Sequence, residues 1–165
     1  MPLGRLKDWL AALHSGLRPG ARVVLMDNRY VEGDSTPITR TDDEGNGFQQ
    51  RQLSDGSTHE VLKNFPTAAE FERLLGGRAF EFRELDVLDP DFLSLASVGA
   101  DTVVCLNVLE HIRDDRLALQ HMHSVLVPRG RAILILPAFE SAYGPIDAKL
   151  GHFRRYSKRG WQALA

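Results

Sequence analysis

The sequence predicts an α/β protein built from a parallel βαβ unit and a β-hairpin. Three observations carry this. Two short aliphatic runs, DTVVCL (101–106) and AILIL (132–136), flank a segment with apolar residues at helical spacing. A right-handed crossover through that helix would make the two runs parallel neighbours. Further back, Asp55-Gly56 separates two extended-looking runs, the pattern of a hairpin turn.

In chain order, residues 5–17 read as a helix with Leu6, Leu10, Leu13 and Leu17 on one face. Arg18-Pro19-Gly20 stops it, because the residue before a proline is pushed out of the helical region. ARVVLM (21–26) is β-branched and apolar enough for a buried strand. Residues 27–47 are polar, carry Gly33, Pro37, Gly45 and Gly47, and lack periodicity. A loop of that length in a compact domain is often functional. The hairpin runs through FQQRQLSDGSTHEVLKNF. Pro66-Thr67 then opens a helix to Leu75, with Thr67 and Glu70 spaced as a capping box and Gly76-Gly77 as its stop.

RAFEFREL (78–85) alternates apolar and charged residues, as a half-exposed strand would. DTVVCL is the next buried strand. Asp114-Asp115 start a helix whose apolar face is Ala118, Met122, Val125 and Leu126. Pro128 to Gly130 make a turn into AILIL. Residues 137–156 read as irregular and aromatic-rich, and Ser157 caps a last helix.

Composition narrows the function classes. A formal net charge of −2 and a pI near 6.3 give no electrostatic reason to expect nucleic acid or an anionic membrane as partner. Cys105 is the only cysteine, so neither an intrachain disulfide nor a cysteine-based zinc cluster is expected. No run approaches the ~20 apolar residues of a membrane span, and the expected location is a reducing cytoplasm.

The chain echoes itself. Residues 6–26 and 115–135 share seven identities at a constant offset of 109, among them His14/His123, Pro19/Pro128 and Arg22/Arg131. Thr67, Phe71 and Leu74 likewise align with Ser157, Trp161 and Leu164 at an offset of 90. A duplicated helix–strand–loop–helix unit explains both offsets. Ordinary reuse of proline–glycine turns before strands is the plainer alternative.

In open parallel sheets ligands bind beyond the carboxyl ends of the strands, which selects Asn107 to His111 and the chain from Pro137 onward. DTVVCLNVLEHI, an amphipathic helix, RAILILPA and AYGPIDAKLGHFRRYS together resemble the second half of bacterial class I S-adenosylmethionine-dependent methyltransferases. LRPGARVVLMDNRYVEG through FEFREL resembles the same half of a related member. The resemblance implies a partial Rossmann-like fold with an incomplete sheet, and two partial units, 1–86 and 87–165.

It also implies site residues. Asp86 and Val87 match the pair that holds the cofactor's adenine, although residues 78–86 fit a late strand of the first copy equally well. Leu106 and Asn107 match the strand end beside the methionyl part. Glu110, His111, Tyr143, His152, Arg154, Arg155 and Tyr156 match the acceptor side. His111 is the first candidate for a base and His152 the second; for His111 the plainer reading is a helix-start imidazole bonded to backbone. The two arginines suit a carboxylate or phosphate on a substrate, and equally suit an ordinary solvated surface. Some relatives carry E-x-x-E-H here and bind a divalent metal; Asn107 replaces the first glutamate, so no metal is expected.

The implied chemistry is transfer of a methyl group from S-adenosylmethionine to a small-molecule or lipid- or glycan-linked acceptor. Catalysis by such a site is mostly alignment, with a base where the acceptor must lose a proton. One family motif is missing: no E/D-x-G-x-G-x-G turn follows a strand, and Gly45-Asn46-Gly47 lies in a polar loop. The chain is therefore expected to be inactive alone, or to complete its sheet with a second copy or a partner subunit. A non-catalytic interaction module is the alternative. A nicotinamide-dependent enzyme is disfavoured by the absence of G-x-G-x-x-G.

Overall fold

The computed structural model describes residues 1–33, 35–53, 55–75 and 81–164. In chain order the elements are α1 (Leu3–Ser15), β1 (Val23–Met26), β2 (Arg40–Thr41), β3 (Gly47–Gln52), β4 (Thr58–Leu62), α2 (Ala68–Leu75), β5 (Ala100–Leu106), α3 (Asp115–Val125), β6 (Leu126–Ile135), α4 (Pro145–Lys149) and α5 (Lys158–Leu164). They fall into two compact units. One comprises Met1–Arg18 and Arg29–Arg83; the other comprises Pro19–Asn28 and Glu84 onward.

The first unit is organised by an antiparallel sheet in the order β2-β3-β4. The hairpin forms as the sequence indicates, with Phe48 opposite Leu62 and Gln50 opposite Glu60. Gly56, at φ 85°, takes the left-handed conformation its turn requires. The strand β2 lies inside the stretch read as irregular; Arg40 forks onto the Glu60 carboxylate and lies over the Phe48 ring. Cross-strand pairing of this kind orders a segment that has no apolar alternation of its own. The capping box closes on α2: Thr67 Oγ1 accepts from the Glu70 N–H at 3.3 Å, and Glu70 Oε2 accepts from the Thr67 N–H at 2.7 Å.

The second unit holds a parallel sheet in the order β1-β5-β6. Val24 faces Val103, and Cys105 faces Leu134. Together the two sheets make a mixed α/β protein with a partial Rossmann-like methyltransferase architecture, as expected. The crossover helix α3 buries Ala118, Met122 and Val125 at 1% exposure or less, while Leu126 is half-buried at the start of β6. They pack with Val87, Phe92, Val103, Cys105, Val108 and Leu109 in one core.

Two expectations change. The turn at Pro128 to Gly130 survives as a bulge rather than a boundary. β6 begins at Leu126 opposite Ala100, and the register then jumps to Thr102 opposite Arg131. Pro128 has no N–H for the ladder and Arg129 sits at φ 67°, so these residues loop out. Residues 81–85 form no strand, and the rest of that expected strand, 78–80, lies outside the described residues. Among the described residues, no helix is long and apolar enough to cross a membrane.

Candidate active site at the carboxyl edge of the parallel sheet

Because β1, β5 and β6 run parallel, their carboxyl ends share one edge. Asn107 is the hinge there. Its N–H donates to Ile135 O at 3.0 Å, and its carbonyl accepts from Asn28 Nδ2 at 2.8 Å. So the backbone just past β5 is held by the chain following β1 and by the end of β6. Asn107 has φ 54°, a left-handed conformation that asparagine tolerates better than most residues. This reverses the chain into a 3₁₀ turn, Leu109–His111. Leu109 is fully buried and anchors the turn, which sets Glu110 inward at 2% exposure.

A second segment reaches the same place from beyond β6. Ala138 forms a parallel bridge with Tyr156, whose N–H donates to Pro137 O at 2.9 Å. Between them lies α4, unrecognised in the sequence. Its Asp147 is 2% exposed and organises the loop. Oδ2 accepts from the Gly144 N–H at 3.0 Å, and Arg155 Nε reaches both carboxylate oxygens, at 2.8 and 2.9 Å. Oδ1 also lies 3.0 Å from His152 Nδ1. Burial opposes ionisation of Asp147, but these donors outweigh it and hold the carboxyl below the usual carboxylate range.

Gly151, at φ 75°, turns the chain so that His152 faces His111. The two rings meet edge-on with centroids 4.6 Å apart. The Phe153 N–H donates to Glu110 O at 2.7 Å and ties the loop to the turn. One ligand-capable atom each from Glu110, His111 and His152 lies within 4.8 Å of the other two. With Nδ1 directed at Asp147, His152 has Nε2 as its other ring nitrogen. The arrangement can accept protons, orient a hydroxyl or amine, or bind a cation.

The remaining expected residues surround this cluster or lie apart from it. Tyr143 donates its hydroxyl to His152 O at 2.8 Å. Arg154 pairs with Asp115 and donates to Arg113 O, and Arg155 is engaged by Asp147. The Tyr156 hydroxyl is buried within 3.3 Å of Leu109 O and 3.2 Å of Asp115 Oδ2. Burial and the Asp115 charge push this phenol well above its ordinary range. Leu106 sits half-buried at the strand end beside Asn107. Asp86 and Val87 lie ahead of β5 in the chain. Asp86 Oδ1 accepts from the Leu88 N–H, and Val87 is a core residue whose carbonyl lies 2.7 Å from His121 Nδ1 on α3.

Sequence reasoning missed Asp147. The signal was present: an acid four residues into the Gly-Pro start of α4, five before His152 and eight before Arg155.

A parallel α/β sheet with converging polar side chains beyond adjacent strand ends defines a ligand-binding Rossmann-like protein. The particular family follows from comparison. A family model described as "Methyltransferase domain" matches residues 45–134, more than half of the chain, and the chain belongs to that family of class I S-adenosylmethionine-dependent methyltransferases. No curated protein and no solved structure matches it. The matched span contains Glu110 and His111 and ends at Leu134, ahead of the loop that carries His152.

The residues present fit only part of a cofactor site. The strand ends at Leu106 and Asn107 are formed, but Gly45 and Gly47 do not make a strand-to-helix turn. Gly47 lies within β3, where a Cβ would come 2.9 Å from Lys63 O and 3.3 Å from Ile38. Its missing side chain allows tight packing of the antiparallel sheet. Among the described residues, nothing supplies the glycine cradle for the cofactor's carboxypropyl end.

Proposed function

We propose that this chain is the acceptor-handling part of an S-adenosylmethionine-dependent methyltransferase acting on a small-molecule or lipid- or glycan-linked acceptor. The single observation that carries this reading is the convergence of Glu110, His111 and His152 beyond β5 and β6. In this reading Leu106 and Asn107 flank the methyl-donor side, and Asp86 and Val87 hold its adenine. Glu110, Tyr143, Arg154, Arg155 and Tyr156 shape the acceptor side. Arg154 and Arg155 would meet a carboxylate or phosphate on the acceptor only by giving up Asp115 and Asp147, so their part in this reading is to fix the loop.

His111 takes the proton of the acceptor nucleophile, with His152 as the second proton acceptor. Asp147 holds the His152 ring through Nδ1 and keeps Nε2 in the acceptor form, the arrangement by which a carboxylate fixes an imidazole tautomer. The missing glycine cradle is supplied by a second copy of the chain or by a partner subunit in the cytoplasm, which completes the parallel sheet β1-β5-β6.

Isothermal titration with S-adenosylmethionine across a range of protein concentrations tests the assembly. Binding that appears only as the chain associates supports it; no binding at any concentration, with or without association, points to a non-catalytic module. In an active preparation, His111→Ala is expected to lower turnover by about 10²–10⁴-fold, the range of a lost general base. Unchanged turnover removes His111 from that role.

A further inference from the structure

We propose that Glu110, His111 and His152 form a divalent-cation site of the two-histidine, one-carboxylate type. Asn107 stands in place of the first glutamate of E-x-x-E-H, which leaves that segment of chain one donor short. His152, from a loop about forty residues further on, brings the third donor to Glu110 and His111.

Three features distinguish the cluster from a chance grouping. Glu110 is buried rather than solvated. The segments are fixed to each other by the backbone bond from Phe153 N–H to Glu110 O. Most specifically, His152 has the surroundings of a metal-binding imidazole. Nδ1 faces a buried carboxylate, Asp147, itself held by Arg155 and the Gly144 N–H. Such outer carboxylates orient ligand histidines and raise their basicity.

The donor set selects the ion. Two imidazoles and one carboxylate suit Zn²⁺, Fe²⁺, Mn²⁺ or Co²⁺ better than Ca²⁺ or Mg²⁺, which prefer all-oxygen shells. A tetrahedral ion with bonds of about 2.1 Å sets its ligands ~3.4 Å apart. The donors now lie within 4.8 Å of one another, so loading draws the widest pair together by at most ~1.4 Å. Three protein donors leave a position for an exogenous oxygen or nitrogen. Coordination and proton acceptance use the same imidazole lone pairs, so a loaded His111 cannot also serve as a base. The site itself does not depend on methyl transfer.

The test is titration of the apo-protein with Co²⁺. One equivalent is expected to bind with visible d–d absorption, and Zn²⁺ should displace it. His111→Ala and His152→Ala should each abolish the band. Asp147→Asn should weaken binding by about 10–100-fold, as outer-carboxylate loss does elsewhere. A measurement without substitution guards against variants that fail to fold: bound Zn²⁺ should protect His111 and His152, but not His14 or His59, from diethylpyrocarbonate. Absence of Co²⁺ binding, or binding unaltered by both alanine variants together with no selective protection, overturns the site. Methyl transfer can fail while Co²⁺ binds, and the reverse, so the two readings are judged separately.

Discussion

Asp147→Ala tests whether one buried carboxylate organises the whole acceptor loop. Three interactions are lost. The Arg155 pair is charge-assisted, but Arg155 is 29% exposed and recovers water when released, so about 1 kcal/mol is assigned to it. The cap on the Gly144 N–H adds about 1 kcal/mol. The bond to His152 adds about 1 kcal/mol more. The sum is ~3 kcal/mol; with a urea slope of ~2 kcal/mol/M, the midpoint should fall by ~1.5 M. The assay is urea unfolding in a Trp9→Phe background, so that Trp161, whose ring meets Tyr156 at 6.1 Å, reports the second unit. Asp147→Asn, which keeps the size and one acceptor oxygen, should lose about half as much. A midpoint shift below ~0.3 M with an unchanged slope would refute the organising role.

Acid should reproduce part of that loss. The Asp147 carboxyl is depressed in the folded state, so its contribution is complete above the unfolded value near 3.8 and fades as pH falls through the lower folded value. The stability gap between wild type and Asp147→Asn should therefore narrow as pH falls below 4. Leu109→Ala, at a fully buried position, should cost about 3 kcal/mol by thermal or urea unfolding, within the range for buried leucines. The Cys105 thiol, pushed up to about 12 by burial and the Glu110 charge, should resist disulfide reagents at pH 8 until the protein unfolds. Gly56→Ala, at φ 85°, should destabilise the hairpin unit by about 1 kcal/mol, visible as a lowered melting temperature.

Short-range signals were legible because they are complete within a few residues. Thr67 and Glu70 specify their capping box, Asp55-Gly56 its turn, and Ala118, Met122 and Val125 their buried stripe. The strand β2 was not, because Arg40 is ordered by Glu60, twenty residues away. RAFEFREL misled for the reverse reason: residues 81–85 alternate as a strand should, yet alternation supplies no partner to pair with. At the site, position after a strand end sufficed to single out Glu110, His111 and His152. Their mutual approach depended on Gly151, Asp147 and one long-range backbone bond, none of which has a periodic signature.

That backbone bond joins segments whose anchoring differs. The 109–111 turn is rooted in the core through Leu109, whereas the loop from 137 to 156 is held by Asp147, by the Arg154–Asp115 pair and by Tyr156 at its end. Opening of the loop alone would separate the imidazoles while the parallel sheet stayed folded, since local openings cost less than global unfolding. Separation of the two imidazoles on warming should then precede loss of ellipticity, and a ligand that spans both histidines would close that gap by acting as a clasp.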